Sequence, residues 1–393
     1  MIASILSLFL YLATFLIGIY LETHGATQKQ ERLYVVWLYI FLCFGYMTGS
    51  DWRAYESRFD TIEVNNPYTD MGFYYIEFYA HKLIKDYWIF CGVLKCFYLY
   101  STIRMVKQFT KHWKSTIALM IPASLTFMLI QNPFRYMVAC ILINYAIVFY
   151  RNKDYKSYVI TLLPTFFIHT SSVAFIVLIP LVNYARYILK VKDFILILSY
   201  IAVLFITSNL QVLQTIYSSV IGQALILSEG LDHYTKYYSI ENVNTFFTLG
   251  SILHIVFFII IVKYKKYLRD HIENGDYICG ATLATMFLSR FLIMIPTGFR
   301  LAIPFSFFFA ICVTAFIKNR SKEIASFFIA YYILSFGSYL WNSYDMIPYS
   351  NSLPYIVFGH KSYNDRYFFN MKYYTERTGE QIDAWQDFYY YGY

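Results

Sequence analysis

The chain alternates long apolar runs with short polar breaks. Residues 2–21, 33–48, 88–103, 115–131, 133–150, 157–169, 171–184, 194–209, 245–262, 277–294, 299–317 and 323–341 are rich in Leu, Ile, Phe, Tyr and Val and carry few charges. A helix needs about 20 mostly apolar residues to cross the hydrocarbon core of a bilayer. The pattern therefore predicts an all-α integral membrane protein of about twelve spans, with residues 1–341 as one membrane domain and 342–393 as a tail. The first run has no basic residue ahead of it and no small-residue cleavage site before Glu22, which predicts a retained helix rather than a signal peptide. From Gly72 to Ile84 the apolar positions share one helical stripe, with Glu77, His81 and Lys82 elsewhere, in a stretch too short to cross. That stretch is expected to lie in the membrane interface.

The polar breaks orient the chain. The loops 22–32, 104–114, 151–156, 185–193, 263–276 and 318–322 hold 19 of the 32 Lys and Arg residues and alternate strictly with the other loops, so the positive-inside rule makes them cytoplasmic. Both termini are then expected outside. With them go the loop 49–87, the turn at Asn132-Pro133, the His169 region, the loop 210–244, the turn Pro296-Thr297-Gly298 and the tail. Aromatic residues of the tail, among them Tyr363, Tyr367, Phe368, Tyr373 and Trp385, alternate with charges and suit interfacial anchoring or sugar stacking.

Composition narrows the class. The chain is 58% hydrophobic, 22% aromatic and 14% charged, with mean hydropathy +0.45, which leaves no room for a large soluble domain. The net charge of +8 is carried by the cytoplasmic loops and does not call for nucleic acid. All six cysteines lie within apolar runs without metal-ligand spacing, so neither a disulfide nor a metal site is expected. There is no glycine-rich phosphate loop and no Asp-x-Asp pair.

Ionisable groups at membrane depth are costly unless paired or facing water, and so are candidates for function. Arg135, Arg290 and Arg300 sit at the outer ends of predicted helices, where each either snorkels to the interface or binds an anion. Pro133 and Gly298 open helices whose outward N-termini favour an anion, and guanidinium forks suit phosphate oxygens, so together the three arginines fit a lipid pyrophosphate. His169 is either a structural hydrogen-bonder or a phosphate ligand or proton relay. Asp51 and Glu77 are either solvated loop charges or bases for an attacking hydroxyl. Trp52, Tyr55 and Tyr349 are the aromatic candidates for contact with sugar or acceptor.

Four segments in order carry a family resemblance. Gly49-Ser50-Asp51-Trp52-x-x-Tyr55, Gly72-Phe73 with Glu77, Pro133-Phe134-Arg135-x-x-x-Ala139 and Ile168-His169-x-Ser171-Ser172 resemble the EpsG-like, Wzy-type polysaccharide polymerases. The resemblance is sharp over about 33–185, and beyond it rests on Tyr234 to Tyr238, Arg300 and Ile347-Pro348-Tyr349. It implies a GT-C-like, metal-independent glycosyltransferase without a cofactor. Such an enzyme joins undecaprenyl-pyrophosphate-linked repeat units at the outer leaflet of a bacterial inner membrane, and its pathway partners include a flippase and a chain-length regulator. Arg135, His169 and Asp51 carry over by motif, and Arg290 and Arg300 by location and chemistry. Where the family commonly has glutamine next to its helix-opening arginine, this chain has Tyr136, with Gln131 four residues earlier. The alternatives are a related outer-leaflet glycosyltransferase or ligase, and a lipid-linked oligosaccharide transporter. A transporter would carry polar residues through the depth of several spans, whereas here the charges crowd one face.

Overall fold

The computed structural model describes residues 2–49, 51–62, 70–131, 133–208, 249–292, 298–319, 322–342, 346, 349–362 and 364–366. Among these the chain is helical, and Gly45 and Asn351 make an isolated antiparallel bridge. It divides into two compact units, Met1–Val173 with Phe316–Tyr393, and Ala174–Ala315.

In the first unit α1 (Ile2–His24) is followed by α2 (Gln28–Leu38), which starts on a capping box between Thr27 and Gln30 and ends in a wide π turn, Tyr39–Cys43. Two short helices, α3 (Trp52–Asp60) and α4 (Met71–Ile84), follow. Next comes α5 (Tyr87–Phe109), whose N-terminus is capped by the Asp86 carboxylate accepting from Trp88 and Ile89 N–H. Helix α6 (Trp113–Met120) continues through two π turns, Ile121–Leu125 and Phe127–Gln131. Pro122 lacks an N–H to give the preceding turn, which accounts for the widening there. Helices α7 (Phe134–Arg151) and α8 (Tyr155–Ile168) form a hairpin, and α7 also packs on α5. Buried Asn144 of α7 donates to Ser101 and Thr102 of α5, both at 3.0 Å. Such bonds between membrane helices contribute about 0.6 kcal/mol on average.

A 3-10 turn, Thr170–Ala174, leads into the second unit, which holds α9 (Phe175–Tyr184), α10 (Asp193–Thr207), α11 (Leu249–Lys263), α12 (Lys265–His271) and α13 (Gly275–Leu292). A 3-10 helix, Gly298–Phe305, runs on into α14 (Ser306–Asn319). The chain closes with α15 (Lys322–Asn342) and α16 (Leu353–Phe358).

Each of the twelve apolar runs contains a helical segment among the described residues. Six, Ile2–His24, Tyr87–Phe109, Phe134–Arg151, Thr170–Lys190, Gly298–Lys318 and Lys322–Asn342, are long and apolar enough to cross a membrane, which makes this a multi-pass membrane protein. The helix expected over 72–84 forms as α4. Its exposed Met71, Tyr75, Tyr79 and Leu83 repeat every four residues along one stripe. The six cysteines are free. The loop 210–244, Ser50, Asn132, Pro296-Thr297, Ile347-Pro348, Tyr363 and the tail beyond Arg366 lie outside the described residues.

The first unit has two polar ends. At one, residues from the basic loops meet: His112 and Glu22 at 2.9 Å, Lys114 and Glu31 at 2.6 Å, Lys318 and Glu22 at 3.5 Å. At the other, where α7 begins and α8 ends, lie the loop helices α3 and α4.

Candidate functional site

Two motif glycines bring that second end together. Gly49 has φ +78°, and a Cβ there would lie 2.2 Å from the Gln131 carbonyl oxygen, so only glycine lets the loop start against the segment that leads into α7. A Cβ on Gly72 would lie 2.8 to 2.9 Å from the Phe167 backbone and Cβ, so glycine lets the start of α4 close on the end of α8. Asp70, the residue before α4, thereby reaches His169 and Thr170, the residues that follow α8.

Asp70 is the centre of the site. Its Oδ2 accepts from Arg135 Nη1 at 2.7 Å, its Oδ1 accepts from the Thr170 hydroxyl at 3.1 Å, and His169 Nδ1 lies 3.6 Å from Oδ2. Asp70 sits at the N-cap of α4 but does not cap it. An aspartate in that position ordinarily stabilises its helix by about 1 kcal/mol, and here the carboxylate is committed to the arginine and the threonine instead. Burial pushes the Asp70 carboxyl up, but His169, Arg135 and Thr170 together outweigh it and hold Asp70 below the usual aspartate value of 3.8.

Around this centre, Arg135 Nε donates to the Tyr55 hydroxyl at 3.2 Å, and the Tyr55 ring packs edge-on against Phe73 and Phe134. Arg58 lies over Tyr55 at 4.7 Å and holds the fully buried Glu77 through both carboxylate oxygens, at 2.7 and 2.8 Å. Burial raises the Glu77 carboxyl above its usual 4.5 even beside Arg58. The His169 ring, extended from the end of α8, meets Tyr136 edge-on at 5.5 Å.

The sequence candidates distribute as follows. Arg135 and His169 come together. Glu77 is locked in an ion pair one layer below them. Asp51 is half-buried at the N-cap position of α3 and, like Asp70, makes no capping bond. Trp52 is fully buried against Trp88 and the Arg366 guanidinium, and Tyr55 is 8% exposed, so both rings brace the loop from within rather than face a sugar. The half-buried Tyr349 gives its hydroxyl to the Phe41 carbonyl at 2.6 Å.

Arg290 and Arg300 belong to the second unit. Arg290 is half-buried in the last turn of α13, and its Nε and Nη2 are buried with no hydrogen-bond partner among the described residues. The Tyr200 hydroxyl is in the same condition, and its ring packs on Phe287, three residues before Arg290. Arg300 is half-buried in the 3-10 helix, 6.0 Å from the Phe299 ring centroid.

Asp70, Thr170 and Arg58 are site residues that the sequence reading passed over. Asp70 opens the stretch Asp70-Met71-Gly72-Phe73, where by sequence it reads as an ordinary helix-capping aspartate. Among the described residues no group of three His, Cys, Asp or Glu side chains is arranged to hold a metal ion.

Compared with known families, the chain matches the model of the EpsG family over residues 4–357. No curated protein and no solved structure matches it.

Proposed function

The chain belongs to the EpsG family, the family of Wzy-type polysaccharide polymerase-like proteins, and from that premise we propose that it polymerises repeat units carried on undecaprenyl pyrophosphate. The reaction runs at the outer leaflet of a bacterial inner membrane, in a chain that crosses about twelve times with a GT-C-like arrangement. The strict alternation of basic and non-basic loops supports that orientation. A flippase supplies the substrate, and a chain-length regulator sets when growth stops.

The observation that carries this reading is the convergence of Arg135, Asp70, His169 and Thr170 where α7 begins, next to a helix long and apolar enough to span. In the transfer, the bond from the donor sugar's anomeric carbon to the pyrophosphate oxygen breaks, and a bond to an acceptor hydroxyl forms. The hydroxyl proton passes to a base, and the pyrophosphate leaves on its lipid. His169 is the base, with Nδ1 towards Asp70 and Nε2 left for the acceptor, while Asp70 holds the ring. Asp51 is the second candidate for the proton, and full activity in Asp51→Asn removes it from that role.

Arg290 and Arg300 hold the pyrophosphate, meeting its developing charge with fixed guanidinium groups and no metal. Arg135, the first unit's own candidate for the pyrophosphate, already has its charge balanced by Asp70. Glu77 fixes Arg58, and Arg58 with Tyr55 fixes Arg135. Trp52 and Tyr349 stiffen the acceptor side of the loop.

Purified protein given lipid-linked repeat units alone should make a ladder of glycans. A ligase would make no product without its separate acceptor, and a transporter would make none at all; either outcome contradicts the polymerase reading.

A further inference from the structure

After α15 the chain returns to the outer loop. The Tyr349 hydroxyl and the Asn351 side chain donate to the Phe41 and Ile40 carbonyls at 2.6 and 2.8 Å, capping the π turn that ends α2. Tyr46 N–H donates to the Ser350 carbonyl at 2.9 Å, and Ser352 N–H to the Phe44 carbonyl at 2.7 Å. These bonds hold the chain just before a tight turn in which Met47 has φ +56° and Gly49 φ +78°.

The return ends on a buried ion pair. Arg366 Nη1 reaches both carboxylate oxygens of Glu56, at 2.8 and 2.6 Å, and Trp88 Nε1 adds a third bond to Glu56 at 2.8 Å. Each partner is 5% exposed. The rings of Tyr46, Trp52 and Trp88 surround the guanidinium with centroids 5.6 to 5.9 Å away. Such a pair is costly to bury and does little for stability compared with apolar packing, but it fixes one geometry. Glu56 is on α3, next to Tyr55, the residue that holds Arg135.

We propose that the segment from Tyr349 to Arg366 is a strap that sets the position of α3, with Arg366 as a positioning residue for the Tyr55–Arg135 contact. This role rests on the polymerase reading for its effect on turnover, but not for its geometry. The loop motif places the site's side chains near one another, and the strap, more than 300 residues away in sequence, sets their register.

The test uses full-length protein and lipid-linked repeat units extracted from host cells that lack it. A Thr48→Cys reporter, at a position 2% exposed, is labelled from outside with a membrane-impermeant maleimide. Arg366→Gln should raise the labelling rate about tenfold. It should lower turnover per folded molecule about tenfold with KM unchanged, as expected of a misplaced site. A loss of stability alone would reduce the amount of folded protein and leave its turnover intact. Glu56→Gln with Arg366→Gln should be less impaired than either single variant, because neither charge is left buried alone. If Arg366→Gln does not reach the membrane, Arg366→Lys, which keeps the charge and loses the fork, carries the same measurements. Unchanged labelling, or unchanged turnover per folded molecule, overturns the strap. Arg135→Ala is run alongside. Wild-type ladders from that variant would refute the site assignment, while the labelling result would still decide the strap.

Discussion

In the first unit Arg135 has Asp70 at 2.7 Å and Arg58 has Glu77 at 2.7 Å, so each guanidinium is balanced by a carboxylate of the same fold. In the second, Arg290 ends a helix with two of its nitrogens buried and without a hydrogen-bond partner among the described residues. The two arrangements suit different tasks. A balanced pair holds a geometry and presents little net charge to a ligand. Arg290, half-buried and with no carboxylate paired to it among the described residues, keeps its charge for an anion such as a pyrophosphate. Under the proposed function the Asp70 cluster orients the acceptor and Arg290 compensates the developing charge.

The sharpest way to break this comparison is to remove Arg290. Arg290→Ala should lower polymer formation by about 10²- to 10³-fold, the usual effect of losing one donor to a developing anion. Arg290→Lys should recover only part of it, because lysine lacks the fork. A wild-type ladder from Arg290→Ala would move the leaving-group role elsewhere.

Asp70→Asn should cost about 10²-fold in turnover, through loss of the ring orientation of His169, while the protein inserts normally. Gly72→Ala tests the same cluster by packing. A methyl group cannot fit 2.8 Å from the Phe167 backbone, so α4 must shift and turnover should fall about tenfold or more, whereas Gly337→Ala, with nothing within 4 Å, should be silent.

A smaller effect concerns stability. The Asp70 carboxyl is held below its usual value, so its contribution is complete above the unfolded value of 3.8 and is lost as the pH falls through its own lower value. The thermal stability of Asp70→Asn should therefore approach that of the parent as the pH falls below 3.8 and through the lowered native value, and fall short of it at about pH 6. Glu77 is shifted the other way, so its protonation is favoured by the fold and Glu77→Gln should lose least at neutral pH. A constant gap between Asp70→Asn and the parent across that range would contradict the Asp70 pairing.

The helices were legible because bilayer thickness imposes apolar runs of nearly fixed length, and each run contains helix among the described residues. The short helix of the first polar loop was legible from its period, because its apolar positions share one stripe. Arg135 and His169 were singled out by their motifs and by their places at helix ends, and the structure brings both to Asp70. Asp70 could not be read in the same way. Its partner Arg135 is 65 residues on and Thr170 is 100 residues on, and nothing local distinguishes a capping aspartate from one diverted to an arginine. Trp52 and Tyr55 were read as sugar contacts because aromatic residues in a polar loop suit stacking, yet burial turns them inward. The strap was invisible for the same reason as Asp70: Arg366 and Glu56 are 310 residues apart.

Binding of undecaprenyl pyrophosphate to the purified parent, Arg290→Ala and Asp70→Asn tests the comparison most directly. Arg290→Ala should weaken binding about tenfold or more. Asp70→Asn, which removes a competing carboxylate from Arg135, should bind as tightly as the parent or more tightly while its turnover falls. Unchanged affinity in Arg290→Ala together with lost affinity in Asp70→Asn would reverse the roles of the two regions and contradict the account.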